Sequence, residues 1–347
     1  MTKALTLFLL IIWGCGKPIE EKEKKFMSPL VSEVHEKKLL KTLMSVNFNY
    51  LPLKGKIRGQ NKFWSGNSWR LNRGAINYRW NSPHKETIGY LSPTTREILN
   101  MPVEKLKELS PSEKYDLYRG RYDFPLKNKI EWISRSDAED WEGICHGWAG
   151  ASLNHPEPKP KNLMNPDGIL IPFGSSDIKA LLSYAYSTII LDEDEFLGLR
   201  CEDAKSETDK CHEDLSAGDF HIVLTNLLGL RGKSFVADLE RYQEVWNHPI
   251  TAYKSVVLQN IKNSNSHKVI VRTTLTYLDV IEKNSWERLD IPSMENVITF
   301  EYELALDEKG NIINGQWRTR ERPDFLWVIP ARENFDGELS MIHHLLN

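Results

Sequence analysis

The stretch that decides the fold is WEGICHGWAGAS, residues 141–152. Small and aromatic residues recur in it at the i, i+3, i+4 and i+7 spacing of one helical face: Cys145, Trp148, Ala149 and Ser152. This spacing predicts a helix that begins at Cys145 and packs closely against a neighbour. The helix dipole at that position favours the nucleophilic thiolate. The segment therefore suits a cysteine nucleophile for acyl transfer, although most cysteines are inert residues of the core.

The composition is that of an ordinary globular protein. The chain has 347 residues, of which 40% are hydrophobic and 27% charged, and its formal net charge is −3. This length fits one large domain with additions, or two domains. Because there is no basic excess, the sequence does not indicate nucleic-acid binding.

The first 15 residues have the pattern of an export signal. Lys3 precedes an apolar run over residues 4–13 that is too short to span a bilayer. The ending Ile-Trp-Gly-Cys resembles a bacterial lipoprotein box, in which Cys15 takes the lipid that anchors the protein to the membrane. Gly16 follows, rather than an aspartate of the kind that retains a lipoprotein in the inner membrane. The resemblance therefore implies that the protein is anchored in the cell envelope at the outer membrane. Plain secretion and a short buried start are the alternatives.

Export changes how the other cysteines are interpreted. Cys201 and Cys211 flank the polar segment CEDAKSETDKC, and we expect them to form a disulfide in an oxidising compartment. Cys145 is then the odd cysteine, which makes it a candidate reactive thiol. A zinc site of Cys145, His146, Cys211 and His212 is a rival interpretation, but no close Cys-x-x-Cys pair supports it.

Residues 220–239 predict a β-hairpin. FHIVLTNLL (220–228) and SFVADL (234–239) are strand candidates on either side of a glycine-containing turn. A two-residue turn at Gly229-Leu230 places His221 directly opposite Asp238, and a four-residue loop makes them diagonal neighbours on the same face. A histidine beside a carboxylate is suited to act as a general base. A surface ion pair between strands would have the same pattern.

The chain order Cys145, His221, Asp238 resembles that of the transglutaminase core. More specifically, segments over about two thirds of the chain resemble the transglutaminase elicitor family of oomycetes and bacteria: LSPSEKYDLYRGRYDFPL, WEGICHGWAGAS, GSSDIKALLS, GDFHIVLTNLLG, SFVADLERYQEVWNHPITAYK and RPDFLWV. The most specific is VWNHPITAYK (245–254), which is similar to the exposed peptide for which the elicitors are named. The resemblance implies these three residues as the catalytic triad.

The resemblance also implies the reaction. A protein-glutamine γ-glutamyltransferase joins a protein glutamine to a lysine or another amine through a thioester on Cys145. Trp141, Trp148 and Trp246 are candidates to wall the acyl site and limit water, or are plain core residues. This chemistry requires no cofactor and no metal. The acidic run 192–195 could hold calcium, but it lacks the spacing of a calcium loop.

Two other kinds of function remain open at this point. The first is a cysteine peptidase or glutamine deamidase on the same fold. Papain-like peptidases place their histidine more than about 100 residues after the cysteine, which the pair His221 and Asp238 does not match. The second is a non-catalytic, lipid-anchored surface protein that binds a partner through residues 245–254.

The predicted fold class is α+β, with a papain-like or transglutaminase-like core in which the active-site helix packs on an antiparallel sheet. We expect a lipoprotein-type signal peptide at residues 1–15. Residues 16–90 are expected to form a linker and an N-terminal extension that could act as a pro-segment. Residues 91–347 are expected to form the catalytic domain, including the C-terminal strands.

Overall fold

The computed structural model describes residues 13–14, 45–59, 63–189, 196–198, 215–241, 244–264, 266–281, 293–328, 335 and 337–346. Cys15, Cys201, Cys211, His212 and the acidic run 192–195 lie outside these residues. The lipid site, the disulfide and the zinc and calcium alternatives therefore stay predictions.

Helices form the part of the fold that carries Cys145. Their bounds are α1 (Thr95–Leu99), α2 (Val103–Leu106), α3 (Pro111–Tyr118), α4 (Pro125–Ile133), α5 (Cys145–Asn154), α6 (Ser175–Ser187), α7 (Ala217–Leu224) and α8 (His343–Leu346). A π-helical segment, Thr225–Arg231, continues α7. The prediction that a helix begins at Cys145 is confirmed, and it ends before Pro156, as a proline without an N–H requires.

Antiparallel strands form the other part. Their bounds are β1 (Trp13–Gly14), β2 (Lys54–Lys56), β3 (Glu142–Gly143), β4 (Lys161–Met164), β5 (Leu170–Phe173), β6 (Phe196–Leu197), β7 (Val236–Asp238), β8 (His248–Lys262), β9 (His267–Leu278), β10 (Glu295–Leu306), β11 (Ile312–Trp317) and β12 (Phe325–Trp327). The main sheet has the order β11-β10-β9-β8-β7-β12-β6, and β2 pairs with β8. The start of β8 packs against α5.

The predicted hairpin over residues 220–239 is wrong. Its first strand is helix α7, which begins where the Ser216 side chain accepts a hydrogen bond from the backbone N–H of Asp219 at 3.0 Å. Residues Phe220 to Leu224 are all buried, so polar residues do not reveal the period, and a buried helix cannot be told from a buried strand. Asp238 does lie in a strand, β7, but its cross-strand neighbour is Phe325 of β12 rather than His221.

Residues 63–90 share the core of the helical part, whereas residues 45–59 pack against the second core, which lies between α7 and the main sheet. Trp64 is fully buried in the same hydrophobic cluster as Cys145 and Trp148. The Trp148 indole donates to the Trp64 carbonyl at 3.1 Å, and the Trp64 indole donates to the His155 carbonyl at 3.1 Å. These residues therefore pack around α5. The boundary at residue 90 and the pro-segment stay predictions.

Close packing fixes the position of α5 on α6. A Cβ atom on Gly147 would lie 1.9 Å from the Ser183 carbonyl oxygen, so only glycine lets the two backbones approach this closely. Since Gly147 comes two residues after Cys145, in the first turn of α5, the same contact holds the start of the helix in place. The cysteine is thus carried on a rigid helix rather than on a loop.

Candidate active site

Cys145 lies fully buried at the N-terminus of α5, where it meets the chain just before β8. The side-chain amide of Asn247 lies 3.6 Å from the cysteine sulfur through its Nδ2 atom. Asn247 is fully buried as well, and its Oδ1 atom accepts a hydrogen bond from the Trp327 indole at 2.8 Å. The thiol therefore lies at a helix N-terminus with a polar donor directed at it.

His248 is the first residue of β8 and follows Asn247 directly. Its Nδ1 atom lies 3.0 Å from the Leu278 carbonyl oxygen. Because a carbonyl only accepts, Nδ1 carries the proton, and Nε2 is the basic nitrogen of the neutral ring. The ring also packs edge-on against Tyr277 at 4.7 Å. The orientation and the tautomer of this histidine are thus set by β9.

A carboxylate accompanies His248 at the end of β9. Burial lowers the pKa of His248, while the charge of Asp279 raises it and partly offsets that effect. The Asp279 carboxylate accepts hydrogen bonds from the Asn296 amide and from the Val280 backbone, both at 2.8 Å. The cysteine, a histidine and an aspartate therefore occur here in the chain order Cys145, His248, Asp279.

Sequence reasoning missed Asn247 and His248, although a signal was present. His248 follows Cys145 by 103 residues, which is closer to the roughly 130–150 residues of papain-like peptidases than the 76 residues to His221. It also lies in VWNHPITAYK, which the resemblance implies to be an exposed peptide. The structure corrects that expectation for the start of the segment, because Val245, Trp246 and Asn247 are buried.

His221 lies in a different core, on α7. Its Nδ1 atom hydrogen-bonds with the Tyr302 hydroxyl at 2.8 Å, and its ring stacks on Phe48 with centroids 5.6 Å apart. Its Nε2 atom is buried and has no hydrogen-bond partner in the described part of the chain, so neither Cys145 nor Asp238 bonds to it there. Burial lowers the pKa of His221 to about 3. The pairing of His221 with Asp238 expected from the sequence is therefore not formed.

The position of Tyr302 shows how far apart the two histidine environments are. The Tyr302 hydroxyl hydrogen-bonds with Thr273, and Thr273 hydrogen-bonds with Ser255 of β8, each at 2.7 Å. Ser255 comes eight residues after Asn247, which corresponds to about 26 Å along a strand. Cys145 is therefore next to the start of β8, whereas His221 is linked through Tyr302 and Thr273 to the middle of that strand.

Asp238 has contacts that suit a structural role. It is fully buried, and its Oδ1 atom accepts a hydrogen bond from the backbone N–H of Glu240 at 3.4 Å, while its Oδ2 atom has no hydrogen-bond partner among the described residues. Burial, followed by the nearby Asp324, raises its pKa well above the usual range. Asp238 therefore holds the start of the connection that leads from β7 to the Asn247 segment.

The three tryptophans predicted to wall the acyl site occupy different environments. Trp148 is fully buried, and its indole bonds to the Trp64 carbonyl, as described above. Trp246 is almost fully buried and its ring stacks on that of His248 with centroids 6.4 Å apart. Trp141 is half-buried against the core that contains Cys145. Of the three, Trp246 is in ring contact with the candidate base, and their part in substrate binding stays a prediction.

The burial of His221 predicts acid sensitivity. Its pKa is about 3 in the folded protein and about 6.5 in an unfolded chain, so the unfolded state alone takes up a proton as the pH falls below 6.5. The stability contribution is complete above pH 6.5 and is lost as the pH falls towards 3. By this linkage, His221 alone lowers the free energy of unfolding by about 2 kcal/mol between pH 7.5 and 5.

Urea denaturation at both pH values measures this effect. The His221→Asn variant is expected to lose about 2 kcal/mol less than the wild type between pH 7.5 and 5. The same substitution at His343, an exposed residue, is the control and should leave the difference unchanged. An equal loss in the wild type and in His221→Asn would contradict the prediction.

Neither a candidate metal-binding cluster nor a membrane-spanning helix occurs in the part of the chain that the structure describes. No group of three or more His, Cys, Asp or Glu side chains there is arranged to hold a metal ion. Within the same residues, no helix combines the length and the apolar character needed to cross a membrane.

The fold and the site together define a class of protein. A buried cysteine at the start of a helix is packed on an antiparallel sheet, next to a strand that begins with histidine, in an α+β fold similar to that of a transglutaminase. Residues 136–282, which include Cys145, Asn247 and His248, match the transglutaminase elicitor family. The resemblance inferred from the sequence is therefore confirmed for these residues.

A solved structure has a similar fold. The crystal structure of the GP42 transglutaminase from Phytophthora sojae superposes with a TM-score of 0.62 at 20% sequence identity. The match covers 88% of this chain and 94% of that chain. The predicted fold class is therefore confirmed. No curated protein matches this chain in sequence.

Proposed function

We propose that the protein is a protein-glutamine γ-glutamyltransferase that uses Cys145 as its nucleophile. The observation that carries the proposal is the buried thiol at the start of α5, with the Asn247 amide directed at its sulfur. Both residues lie inside the segment that matches the transglutaminase elicitor family. The transglutaminase-like fold supports an enzyme of this kind.

In the first half-reaction the Cys145 thiolate attacks the γ-carboxamide carbon of a protein glutamine. Backbone N–H groups at the start of α5 stabilise the oxyanion that forms. The C–N bond then breaks, ammonia leaves with a proton from the imidazolium of the base, and a thioester remains on Cys145. In the second half-reaction an amine attacks the thioester, gives its proton to the imidazole and releases the thiolate. The product is an isopeptide bond.

We assign the role of this base to His248 in place of His221. His248 directly follows the residue that contacts the cysteine sulfur, and its Nδ1–H is held by the Leu278 carbonyl. The nearby Asp279 favours the charged imidazolium that forms during each half-reaction. His221 has a different neighbourhood, since Tyr302 and Phe48 enclose its ring.

Transfer to an amine is tested by offering the enzyme a glutamine-containing peptide and a fluorescent primary amine. The expected result is release of ammonia together with incorporation of the amine, measured on the peptide by mass spectrometry. Ammonia release without incorporation, even at saturating amine, would instead make the protein a glutamine deamidase.

A cysteine peptidase is the second candidate, because Cys145 precedes His248 in the Cys-then-His order of papain-like peptidases. The same reaction mixture distinguishes it. Cleavage of the peptide backbone with neither ammonia release nor amine incorporation would establish the peptidase and reject the transferase.

A further inference from the structure

The Asn247 amide lies between the Trp327 indole and the Cys145 sulfur, and this arrangement fixes its orientation. The two ends of an amide cannot be told apart by shape, so the orientation has to follow from the hydrogen-bond partners. An indole N–H can only donate, and it lies 2.8 Å from Asn247 Oδ1. The Nδ2 atom, which only donates, must therefore face the sulfur at 3.6 Å. The cysteine receives a hydrogen bond because the tryptophan gives one.

A donor aimed at sulfur stabilises the thiolate more than the thiol, because the negative charge strengthens the hydrogen bond. Burial increases this difference: Cys145 and Asn247 are 0% exposed and Trp327 is 5% exposed. Water therefore competes little for the sulfur, and the low local dielectric strengthens the bond. The positive end of the α5 dipole acts in the same direction.

The structure holds this donor on both sides. Trp327 ends β12, which pairs with β7 and β6, and its ring stacks on Phe196 with centroids 6.0 Å apart. Before Asn247, Val245 is fully buried in a cluster that also contains Val236 of β7 and Trp327. After it, His248 pairs with Ala237 of β7. The amide is thus preorganised rather than free to turn.

We propose that Asn247 is a catalytic residue whose amide N–H stabilises the Cys145 thiolate, and that Trp327 is a positioning residue that orients this amide. The assignment deepens the proposed function and rests on Cys145 being its nucleophile. The donor acts twice in the cycle. It stabilises the attacking thiolate, and it does so again when the amine attacks the thioester, the C–S bond breaks and its electron pair returns to sulfur.

The pH dependence of thiolate formation tests this assignment without any transferase assay. The rate of Cys145 alkylation by iodoacetamide, followed on the Cys145 peptide by mass spectrometry, is measured from pH 4 to 10. Thiolate absorbance at 240 nm, taken as a difference from Cys145→Ser, gives a second measure that does not depend on access to the buried sulfur. In Asn247→Ala, loss of a hydrogen bond to a charged group should raise the thiol pKa by about one unit. Below that pKa the thiolate fraction then falls about tenfold.

Trp327→Phe is the decisive variant, since it keeps an aromatic ring against Phe196 and removes the N–H that orients Asn247, together with part of the indole ring. It should shift the thiol pKa in the same direction as Asn247→Ala, although it does not touch the sulfur. Trp317→Phe is the matched control. Trp317 is the last residue of β11 and is also buried, and its indole N–H donates to the Leu215 carbonyl at 2.8 Å. Its loss should change stability and leave the thiol pKa unchanged.

Two outcomes would overturn the proposal. One is a titration curve of Cys145 that is unchanged in both Asn247→Ala and Trp327→Phe while both variants remain folded by circular dichroism. The other is an equal shift in Trp317→Phe, which would show a general effect of lost stability. Because these readouts concern the thiol alone, a failure of amine incorporation would contradict the transferase and not this assignment.

Discussion

Replacing Cys145 with alanine is expected to abolish ammonia release and amine incorporation together, with a loss in kcat of about 10⁴-fold or more. Both half-reactions pass through the thioester, so no other group in the described site can supply the covalent intermediate. The measurement is the assay of glutamine peptide and fluorescent amine at matched concentrations of folded protein. Residual activity within about tenfold of the wild type would contradict Cys145 as the nucleophile.

Cys145→Ser is the matched control for folding in this experiment. Alanine leaves the Asn247 Nδ2 donor buried without its sulfur acceptor, which costs about 1–3 kcal/mol of stability. A serine hydroxyl keeps an acceptor at the same place but is a much poorer nucleophile, since no thiolate forms. We expect both variants to be inactive and Cys145→Ser to unfold at the higher temperature. Loss of activity in both then reports on chemistry rather than on unfolding.

Local sequence rules predicted the elements whose signals are contained within one segment. The helix α5 followed from the spacing of Cys145, Trp148 and Ala149, and the start of α3 is marked in the same local way by a capping box. In α3 the Ser110 side chain accepts from the Glu113 backbone at 3.3 Å, and the Glu113 carboxylate accepts from the Ser110 backbone at 3.0 Å. The alternating burial along β10 likewise corresponds to alternating apolar and polar residues in its sequence.

The prediction failed where burial removed the periodic signal. FHIVLTNLL contains few polar residues, so its period could not separate a buried strand from a buried helix. The better signal was just upstream, where Ser216 and Asp219 have the spacing of a helix N-terminus. A helix at this place moves His221 into a core with Tyr302 and Phe48, away from Asp238.

The site itself depends on long-range contacts that no local pattern encodes. Asn247 and Trp327 meet only because β12 inserts beside β7, and Asn247 meets Cys145 only because α5 packs against the start of β8. The sequence singled out the segment around Asn247 as the most specific part of the resemblance. It could not indicate that the buried end of this segment, rather than its exposed end, contacts the cysteine.

A comparison of the two histidines separates the base expected from the sequence from the base that the structure favours. His248→Asn keeps a side-chain donor near the Leu278 carbonyl and removes the basic nitrogen. It should therefore lower kcat by about 10²–10⁴-fold, the usual contribution of a general acid and base. His221→Asn keeps a partner for the Tyr302 hydroxyl, so it should lower stability and leave kcat within about threefold. Both are measured by amine incorporation at pH 7.5, with thermal unfolding recorded for each variant.

If His221→Asn loses activity while folded and His248→Asn does not, the base role returns to His221 and the assignment of His248 is wrong. If His248 is the base, the pH dependence of kcat should change in His248→Asn and stay the same in His221→Asn, because only one of the two rings exchanges a proton with the substrate.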